Sequence, residues 1–394
     1  MPSSGPILIA GAGIGGLTLS LHLSSIGCPA IIVERQTELR EVGAGIQLSP
    51  NATRLLYEVG LGEELAKHAV CPSHISIRLA QSGREIATIP LGQAIIDRYG
   101  SPYMVIHRGD LQSVLLKAVK ANRDIKLHFD APVIDILTGN DGALIVSERN
   151  GQPADYSGAG LVGADGVWST VRRKGVGGPE PVYSGRTAWR ATISTDDVPK
   201  GIDALATNLW LGAGAHLVHY PIAAGRKINI VAIVTETGWH EQGWSVEGDP
   251  KWLADRFADW APIARQLLDR PDKWLKWALC GVDPDFNWTK GPITLLGDSA
   301  HAMLPFVAQG GAMAIEDAAV LADCVAGGDL VPTAFRKYES LRKPRVSRVS
   351  RTAAENGRTY HLSGPTALAR NMVLASLPAQ SLLARFDWLY GWTR

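Results

Sequence analysis

The first 35 residues alternate between short apolar runs and breaks rich in glycine. Residues 7–10 (Ile-Leu-Ile-Ala) and 30–33 (Ala-Ile-Ile-Val) are apolar, short and bounded by turn-forming residues, so they predict two buried strands. The apolar stretch that follows Gly16 is long enough for a helix between them. Strand, glycine turn, helix and strand in this order predict a βαβ unit, whose two strands lie parallel in one sheet.

Beyond this unit the periodicity changes twice. Residues 74–80 and 85–89 alternate like an antiparallel pair joined by a turn at Ser82 and Gly83. Strands and helices then mix until about residue 180, where a β-rich region with glycine turns predicts a second, antiparallel sheet. Its predicted strands are 187–193, 206–211, 216–221, 228–234 and, after a helical stretch, 274–280.

Apolar residues at helical spacing predict further helices. These fall at 52–59, from 107–111 to about 121, at 250–270 with a break at Pro262, at 312–326, and from about Pro332 into the 350s. We predict Asp110 as an N-cap and an ordered loop from 40 to 51. The tail from Gly364 to Arg394 repeats the helical spacing and is expected to cover core surface, with a partner or membrane-surface contact as the alternative.

Composition and charge limit the classes of protein to which this chain can belong. The chain has 394 residues, enough for two domains or one large composite domain, and its acids and bases nearly cancel to a formal net charge of +1. That balance gives no support to a nucleic-acid partner. The four cysteines lack CxxC spacing, which disfavours a zinc site or a disulfide framework and is typical of a reducing cytoplasm. The chain has no uninterrupted apolar run of about 20 residues, so we expect no membrane span.

Residues 11–16 (Gly-Ala-Gly-Ile-Gly-Gly) have the spacing of a dinucleotide-binding turn between the first strand and helix. Gly11 would allow the tight turn, Gly13 the approach of a pyrophosphate, and Gly16 close packing of helix on strand. The unpaired N–H groups and positive end of the helix suit phosphates. Glu34 follows the second strand, where a carboxylate can bind ribose hydroxyls. These residues alone leave NAD and FAD open, and a glycine-rich packing turn without a ligand is the alternative.

Two further motifs each pair an aspartate with a glycine at the end of a predicted strand. They are residues 163–172 (Gly-Ala-Asp-Gly-Val-Trp-Ser-Thr-Val-Arg) and 296–301 (Leu-Gly-Asp-Ser-Ala-His). With these motifs and the glycine turn in this order, the chain resembles the single-component (group A) flavin-dependent aromatic hydroxylases. Segments 43–47, 107–111 and 308–317 are most similar to the salicylate, 3-hydroxybenzoate and 6-hydroxynicotinate hydroxylases of that family.

The resemblance implies an α/β fold of the p-hydroxybenzoate hydroxylase type (GR2). A Rossmann-like FAD-binding domain would be combined with an antiparallel β-sheet substrate domain and a C-terminal helical region. In this division the FAD-binding domain takes residues 1–73, 103–178 and 282–330, the substrate domain takes 74–102 and 179–281, and the C-terminal helices take 331–394.

The resemblance also assigns residues to FAD as a resident cofactor. The ADP half would lie on the glycine turn and Glu34, and the ribityl and pyrophosphate region near Asp298. The isoalloxazine would lie at the start of the 312–326 helix, whose positive end stabilises negative charge on a reduced ring. The residues so assigned are Gly11, Gly13, Gly15, Gly16, Glu34, Arg35, Gln47, Arg108, Asp165, Asp298, Gly310 and Gly311. NADH or NADPH would bind transiently, because no second GxGxxG opens a βαβ unit, and the nearest relatives favour NADH.

The substrate pocket would be formed by the second sheet. His216 and Tyr220 stand four apart in a predicted strand and so face the same side. The resemblance makes them the residues that bind a phenol and remove its proton; on spacing alone, a strand-end histidine and a core-edge tyrosine are the alternative. Gln47 and Pro305 would line the pocket. Gln47 stands where 6-hydroxynicotinate hydroxylases carry a histidine, and Pro305 where 3-hydroxybenzoate hydroxylases carry a glutamine, so neither substrate carries over directly.

The function implied is hydroxylation of a small phenolic or hydroxy-heteroaromatic acid in aromatic catabolism, with NAD(P)H and O2, through a flavin C4a-hydroperoxide. The alternatives are other oxidoreductase chemistry on the same fold (epoxidation, urate-type oxidation, halogenation or reduction), a NAD-dependent dehydrogenase, and a flavin protein without catalysis. A halogenase would need a Trp-x-Trp-x-Ile-Pro segment, which the sequence lacks. We expect a cytoplasmic monomer or homodimer.

Overall fold

The computed structural model describes residues 5–39, 45–139, 142–149, 151–239, 241 and 245–394. Residues 40–44, which include Gly43 and Ala44 of the 43–47 segment, lie outside the described residues. The strands are β1 (Ile7–Ala10), β2 (Ala30–Val33), β3 (Gly45–Leu48), β4 (His74–Leu79), β5 (Glu85–Pro90), β6 (Met104–His107), β7 (Ile125–His128), β8 (Val133–Gly139), β9 (Gly142–Arg149), β10 (Gln152–Pro153), β11 (Tyr156–Gly158), β12 (Gly160–Gly163), β13 (Val182–Ser194), β14 (Thr207–Gly212), β15 (Ala215–Ile222), β16 (Lys227–Thr235), β17 (Ser245–Gly248), β18 (Trp274–Gly281) and β19 (Ile293–Leu295).

The α-helices connect and cover these strands. They are α1 (Ile14–Ser25), α2 (Pro50–Glu58), α3 (Gly62–Ala66), α4 (Gln93–Tyr99), α5 (Arg108–Ala121), α6 (Pro250–Arg256), α7 (Pro262–Leu268), α8 (Asp298–His301), α9 (Gly310–Ala326), α10 (Val331–Tyr360), α11 (Gly364–Ser376), α12 (Ala379–Ala384) and α13 (Asp387–Tyr390). Short turns of π- or 3-10-helix lie at Val171–Val176, Thr195–Asp197 and Pro305–Val307.

A five-stranded parallel sheet carries the three motifs. Its strand order is β19-β12-β1-β2-β7, and in its register Ala10 lies beside Gly163, which lies beside Leu295. Strands β1 and β12 are buried along their whole length, as expected where helices cover both faces of a parallel sheet. The carboxyl ends of β1, β12 and β19 therefore meet at one edge, where open α/β sheets bind their ligands. The predicted Rossmann-like unit is confirmed.

An eight-stranded sheet of order β17-β18-β13-β16-β15-β14-β4-β5 forms the second large layer. The predicted antiparallel strands all pair within it, and the 74–90 hairpin joins it through a parallel pairing of β4 with β14. Helices α6 and α7 contribute to a core on one face of this sheet, in which Trp189, Trp210 and Trp274 are buried. The other face of β15 and β16 is turned toward the motif edge of the parallel sheet, because both contribute to the cavity described below.

Two local predictions were wrong. Residues 45–48 are not loop but strand β3, which pairs antiparallel with β6 and sets Gln47 opposite Val105. Helix α5 begins at Arg108, with His107 as its N-cap. The His107 ring Nδ1 accepts a hydrogen bond from the Gly109 backbone N–H at 3.1 Å. A ring nitrogen thus caps the helix. Asp110 lies inside the first turn, where its negative charge interacts favourably with the helix dipole.

The C-terminal helices cover part of the core as predicted. Leu382 and Leu383 of α12 and Leu389 and Tyr390 of α13 are buried, whereas α11 buries none of its residues. Arg342 of α10 lies inside the protein. It is 1% exposed and ion-paired with acids on α9. Within the described ranges, no helix combines the length and apolar character needed to cross a bilayer.

Candidate active site between the two sheets

The glycine turn after β1 is shaped by close backbone contacts. Gly11 has φ +105°, and a Cβ there would lie 2.5 Å from the Ala164 carbonyl oxygen. A Cβ on Gly16 would lie 2.1 Å from the Gly11 carbonyl oxygen. A Cβ on Gly13, by contrast, would meet no atom within 4 Å. Gly11 and Gly16 are therefore required by packing, while Gly13 faces open space at the N-terminus of α1, where a diphosphate fits.

Glu34 is anchored directly to this turn. Its Oε2 accepts a hydrogen bond from the Ala12 N–H at 2.8 Å, and its Oε1 accepts one from the Gln36 N–H at 2.9 Å. Each carboxylate oxygen has a further lone pair, so the carboxylate can still accept ribose hydroxyls. The neighbouring Arg35 is exposed and is not among the residues that line the cavity below; its contact with the cofactor stays a prediction.

The two aspartate motifs differ in how their carboxylates are used. Asp165 is turned into its own loop, where its Oδ2 accepts from the Thr170 and Val171 N–H groups at 2.7 and 3.1 Å. Burial raises the pKa of the Asp165 carboxyl, against these hydrogen bonds. Asp298 instead is exposed and lines the cavity, following Gly297 at φ +63°. The Asp165 carboxylate thus stabilises a loop next to the cavity, whereas the Asp298 carboxylate lines the cavity itself.

A cavity of about 280 Å3 lies between the two sheets and joins the predicted cofactor and substrate residues. Its cofactor side contains Gly13, Gly15, Arg108, Asp298, Gly310 and Gly311. Its lining also includes His216 and Tyr220 of the second sheet, together with Gln47 and Pro305. Residues from widely separated parts of the sequence therefore converge on one space. Among the described residues, no group of three His, Cys, Asp or Glu side chains could hold a metal ion.

The start of helix α9 forms one end of this cavity. Gly310 and Gly311 are its first two residues and line the cavity. A Cβ on Gly311 would lie 2.6 Å from the Ile46 side chain, so glycine lets β3 approach the helix. The unpaired N–H groups of this 17-residue helix give its start a partial positive charge. The chemistry of this end suits an anionic ring edge such as that of a reduced isoalloxazine.

His216 is held by a second histidine that the sequence did not reveal. It is 2% exposed on β15, and its Nδ1 is hydrogen-bonded to Nε2 of His361 at 2.8 Å. The His361 Nδ1 is in turn 3.2 Å from Oγ1 of Thr235. Burial lowers the pKa of His216 well below its usual value, with smaller contributions from His361 and Arg186. The His216 ring is therefore neutral at physiological pH, and one of its nitrogens is a hydrogen-bond acceptor.

Tyr220 lies on the same wall and is tied to β3. Burial raises the pKa of its hydroxyl, although a hydrogen bond with Gln47 opposes this. Tyr103 donates a hydrogen bond to the amide oxygen of Gln47. Gly45 permits this packing, because a Cβ there would lie 2.5 Å from the Tyr220 ring. His219 faces the other side of the sheet, where it accepts from the Trp210 indole N–H at 3.0 Å.

Sequence reasoning missed three residues of this site. Tyr103 and His361 reach it through the contacts above, and Arg190 of β13 lines the cavity with its guanidinium 4.9 Å from the centre of the Trp277 ring. Arg190 could have been found, because it alternates with Trp189 in a strand whose other side is core. His361 follows a long helix and carries no local signal.

Comparison with known proteins agrees with this geometry. A profile of the family described as FAD binding domain matches residues 5–353. The chain is 35% identical to the 3-hydroxybenzoate 6-hydroxylase of Polaromonas naphthalenivorans, over 99% of this chain and 97% of that protein. It is 31% identical to the 6-hydroxynicotinate 3-monooxygenase of Pseudomonas fluorescens, over 90% and 92%. Its fold is similar to that of Klebsiella pneumoniae HpxO complexed with FAD and uric acid, with a TM-score of 0.84 and 24% identity over 96% of this chain and 95% of that one.

The match to the family profile spans most of the chain, and the two relatives align with nearly all of it. The three motifs that carried the resemblance lie together at one sheet edge, with the open space, helix ends and acids that FAD requires. The chain therefore belongs to the FAD binding domain family and, within it, to the FAD-dependent aromatic hydroxylases of the group A type.

Proposed function

We propose that this protein is a monooxygenase that hydroxylates a small phenolic or hydroxy-heteroaromatic acid, using NAD(P)H and O2. The observation that carries the proposal is the single cavity that joins the FAD-binding residues to the wall formed by His216 and Tyr220. A dehydrogenase that used the glycine turn for NAD would not need the aspartate motif and helix start on the far side of that cavity.

FAD fits the residues that surround the cavity. Gly13 and the start of α1 would hold its diphosphate, and Glu34 its adenosine ribose, as in other dinucleotide sites. Asp298 would bind the ribityl region, and Gly310 and Gly311 would lie at the pyrimidine edge of the ring. Bound FAD supplies the activation of O2 after it has been reduced by NAD(P)H. The protein contributes the binding, the orientation and the control of protons.

His216 and Tyr220 would prepare the substrate. Neutral His216 has Nδ1 engaged with His361, which leaves Nε2 for a substrate hydroxyl in the cavity. Removal of the phenol proton raises electron density on the ring carbons ortho and para to the oxygen, which favours attack by an electrophilic oxygen. General-base catalysis of this kind typically contributes about 10²–10⁴-fold in rate. Tyr220, held by Gln47, would orient the same hydroxyl through its own O–H.

Two features support an acidic substrate. Arg190 lines the cavity, and a guanidinium pairs well with a carboxylate. The curated relatives named above act on hydroxybenzoate and hydroxynicotinate, which are both acids. Gln47 and Pro305 differ from the residues expected in those enzymes, so we propose the class of substrate rather than one compound.

The six-segment division given above, with residues 74–102 and 179–281 as the substrate domain, is part of the same proposal.

NAD(P)H would approach FAD from outside, reduce it and leave, with NADH favoured. All four cysteines are free thiols, which supports a reducing cytoplasm. We propose a monomer or homodimer.

The test is a panel of aromatic acids given to the FAD-loaded enzyme with NADH or NADPH. The expected result is accelerated NAD(P)H oxidation by at least one hydroxylated acid, with a product heavier by one oxygen atom. Catalase and product mass separate hydroxylation from uncoupled peroxide release. Uric acid belongs in the panel, because oxidation of urate without any action on aromatic acids would favour the alternative chemistry. Failure of every aromatic acid to give an oxygenated product would disprove the proposal.

A further inference from the structure

His216 is shielded from bulk solvent. It is 2% exposed, and the rings of Phe306 and Tyr360 lie beside it with centroids 5.3 and 5.4 Å from its own. A base that takes a proton in such a place must pass it on before the next turnover. The atom in contact with the His216 Nδ1 is Nε2 of His361, at 2.8 Å.

His361 connects this buried ring to the surface. Its Nδ1 is 3.2 Å from the Thr235 hydroxyl oxygen, and Thr235 is exposed to solvent. Backbone contacts fix the arrangement. The His361 carbonyl accepts from the Gly214 N–H at 3.1 Å, and the Gly214 carbonyl accepts from the Thr235 N–H at 2.9 Å. The three side chains therefore form a continuous hydrogen-bonded row from cavity to solvent, held by backbone contacts with the β14–β15 turn and the end of β16.

The charges around the row favour transfer without a trapped cation. Arg186 acts on both rings, and Arg256 and Arg370 act on His361. Burial and these arginines lower the pKa of His361 to about 4, so both rings are neutral at physiological pH. A neutral imidazole carries one donor and one acceptor nitrogen. Each ring can thus receive a proton on one nitrogen as it releases one from the other, and burial together with these arginines disfavours a cation on either ring.

We propose that His361 and Thr235 are a proton-exit path for the active site, which carries the phenol proton from His216 to solvent. The substrate O–H bond breaks as its proton passes to Nε2 of His216. The proton on His216 Nδ1 passes to His361 Nε2, and the proton on His361 Nδ1 passes through the Thr235 hydroxyl to water. Each ring ends neutral in its other tautomer, and the substrate is left as phenolate. This inference rests on the proposed function. His361 is a relay residue and does not touch the substrate.

The test uses the FAD-loaded full-length enzyme and the aromatic acid that wild type hydroxylates fastest in the panel above. His361→Ala is expected to slow hydroxylation in single turnovers about tenfold or more at neutral pH, with FAD and substrate affinities within about twofold of wild type. The loss should shrink as pH rises toward the phenol pKa of about 10, because an ionised substrate needs no relay. Added imidazole should restore rate to this variant by filling the space left by the ring.

Two further variants keep the test decisive. His361→Gln keeps a polar side chain but cannot exchange tautomers, so it should be slow and gain nothing from imidazole. His74→Gln, a histidine change elsewhere in the same sheet, should match wild type. A His361→Ala enzyme with the wild-type rate, or a loss of equal size at every pH without imidazole rescue, would overturn the relay. If wild type hydroxylates no acid in the panel, the proposed function fails instead, and the two failures are thus distinguishable.

Discussion

The Asp317 carboxylate accepts a hydrogen bond from the Gly297 backbone N–H at 3.0 Å. Gly297 lies in the turn that presents Asp298 to the cavity, and Asp317 lies inside α9, whose start forms another part of the same cavity. Asp317 also binds His301 at 2.6 Å and Arg342 at 2.7 Å. One buried carboxylate thus fixes two of the segments proposed to bind FAD relative to each other.

Replacement of Asp317 should therefore damage both stability and FAD binding. Asp317→Ala removes one of the two carboxylates that pair with Arg342, which is 1% exposed and keeps Glu316; the upper bound is the cost of about 3–5 kcal/mol for breaking a buried ion pair. We expect a lower free energy of unfolding in urea and weaker FAD retention on gel filtration. Asp323→Asn, on the exposed end of the same helix, should cost less than about 1 kcal/mol. Equal losses in the two variants would contradict this role.

The glycine turn allows a prediction that separates folding from cofactor binding. A Cβ at position 16 would collide with the Gly11 carbonyl oxygen, whereas one at position 13 meets no protein atom. Gly16→Ala should therefore fold poorly. Gly13→Ala should keep the stability of the FAD-free protein but bind FAD at least about tenfold more weakly, since its methyl group takes the diphosphate's space. Thermal unfolding without FAD and flavin fluorescence titration measure the two effects; normal FAD affinity in Gly13→Ala would refute the placement.

The sequence predicted the secondary structure and the positions of the motifs better than the contacts between distant residues. Strand and helix periodicity and turn glycines are local signals, so the βαβ unit, the second sheet and the three motifs at one edge could be predicted. The pairing of β4 with β14 could not, because parallel pairing between distant segments depends on tertiary packing. His216 and His361 are 145 residues apart, and no periodic pattern relates them. The resemblance did place Gln47 in the pocket, but its segment was predicted as a loop and is strand β3.

Tyr220 and Gln47 offer a test of the substrate wall. Tyr220→Phe removes the hydroxyl that binds Gln47 and leaves the ring packed against Gly45. We expect hydroxylation to slow about 10–10²-fold while FAD affinity stays normal, because the ring fills the same space. The ratio of product to NAD(P)H consumed should fall as well. Tyr57→Phe, at a half-exposed surface tyrosine, is the matched control. A Tyr220→Phe enzyme with full rate and full coupling would remove Tyr220 from the catalytic wall.

The buried histidines predict how stability responds to acid. Burial, with a smaller contribution from Arg78, lowers the pKa of His219 to about 3. In the unfolded chain a histidine titrates near 6.5, so the unfolded state binds the proton first. The stability that His219 contributes is therefore complete above about pH 6.5 and is lost as pH falls toward 3, by about 1.4 kcal/mol per pH unit.

His219→Gln should flatten the fall in unfolding free energy between about pH 6 and pH 4, because one proton fewer is taken up on unfolding. Trp210→Phe is the matched control, since it removes the indole N–H that His219 accepts but keeps the histidine. It should lower stability at every pH through lost packing in the core while leaving the slope close to that of wild type. Urea unfolding at several pH values gives both quantities. If His219→Gln and wild type lose stability with the same slope, His219 is not held neutral in the folded protein.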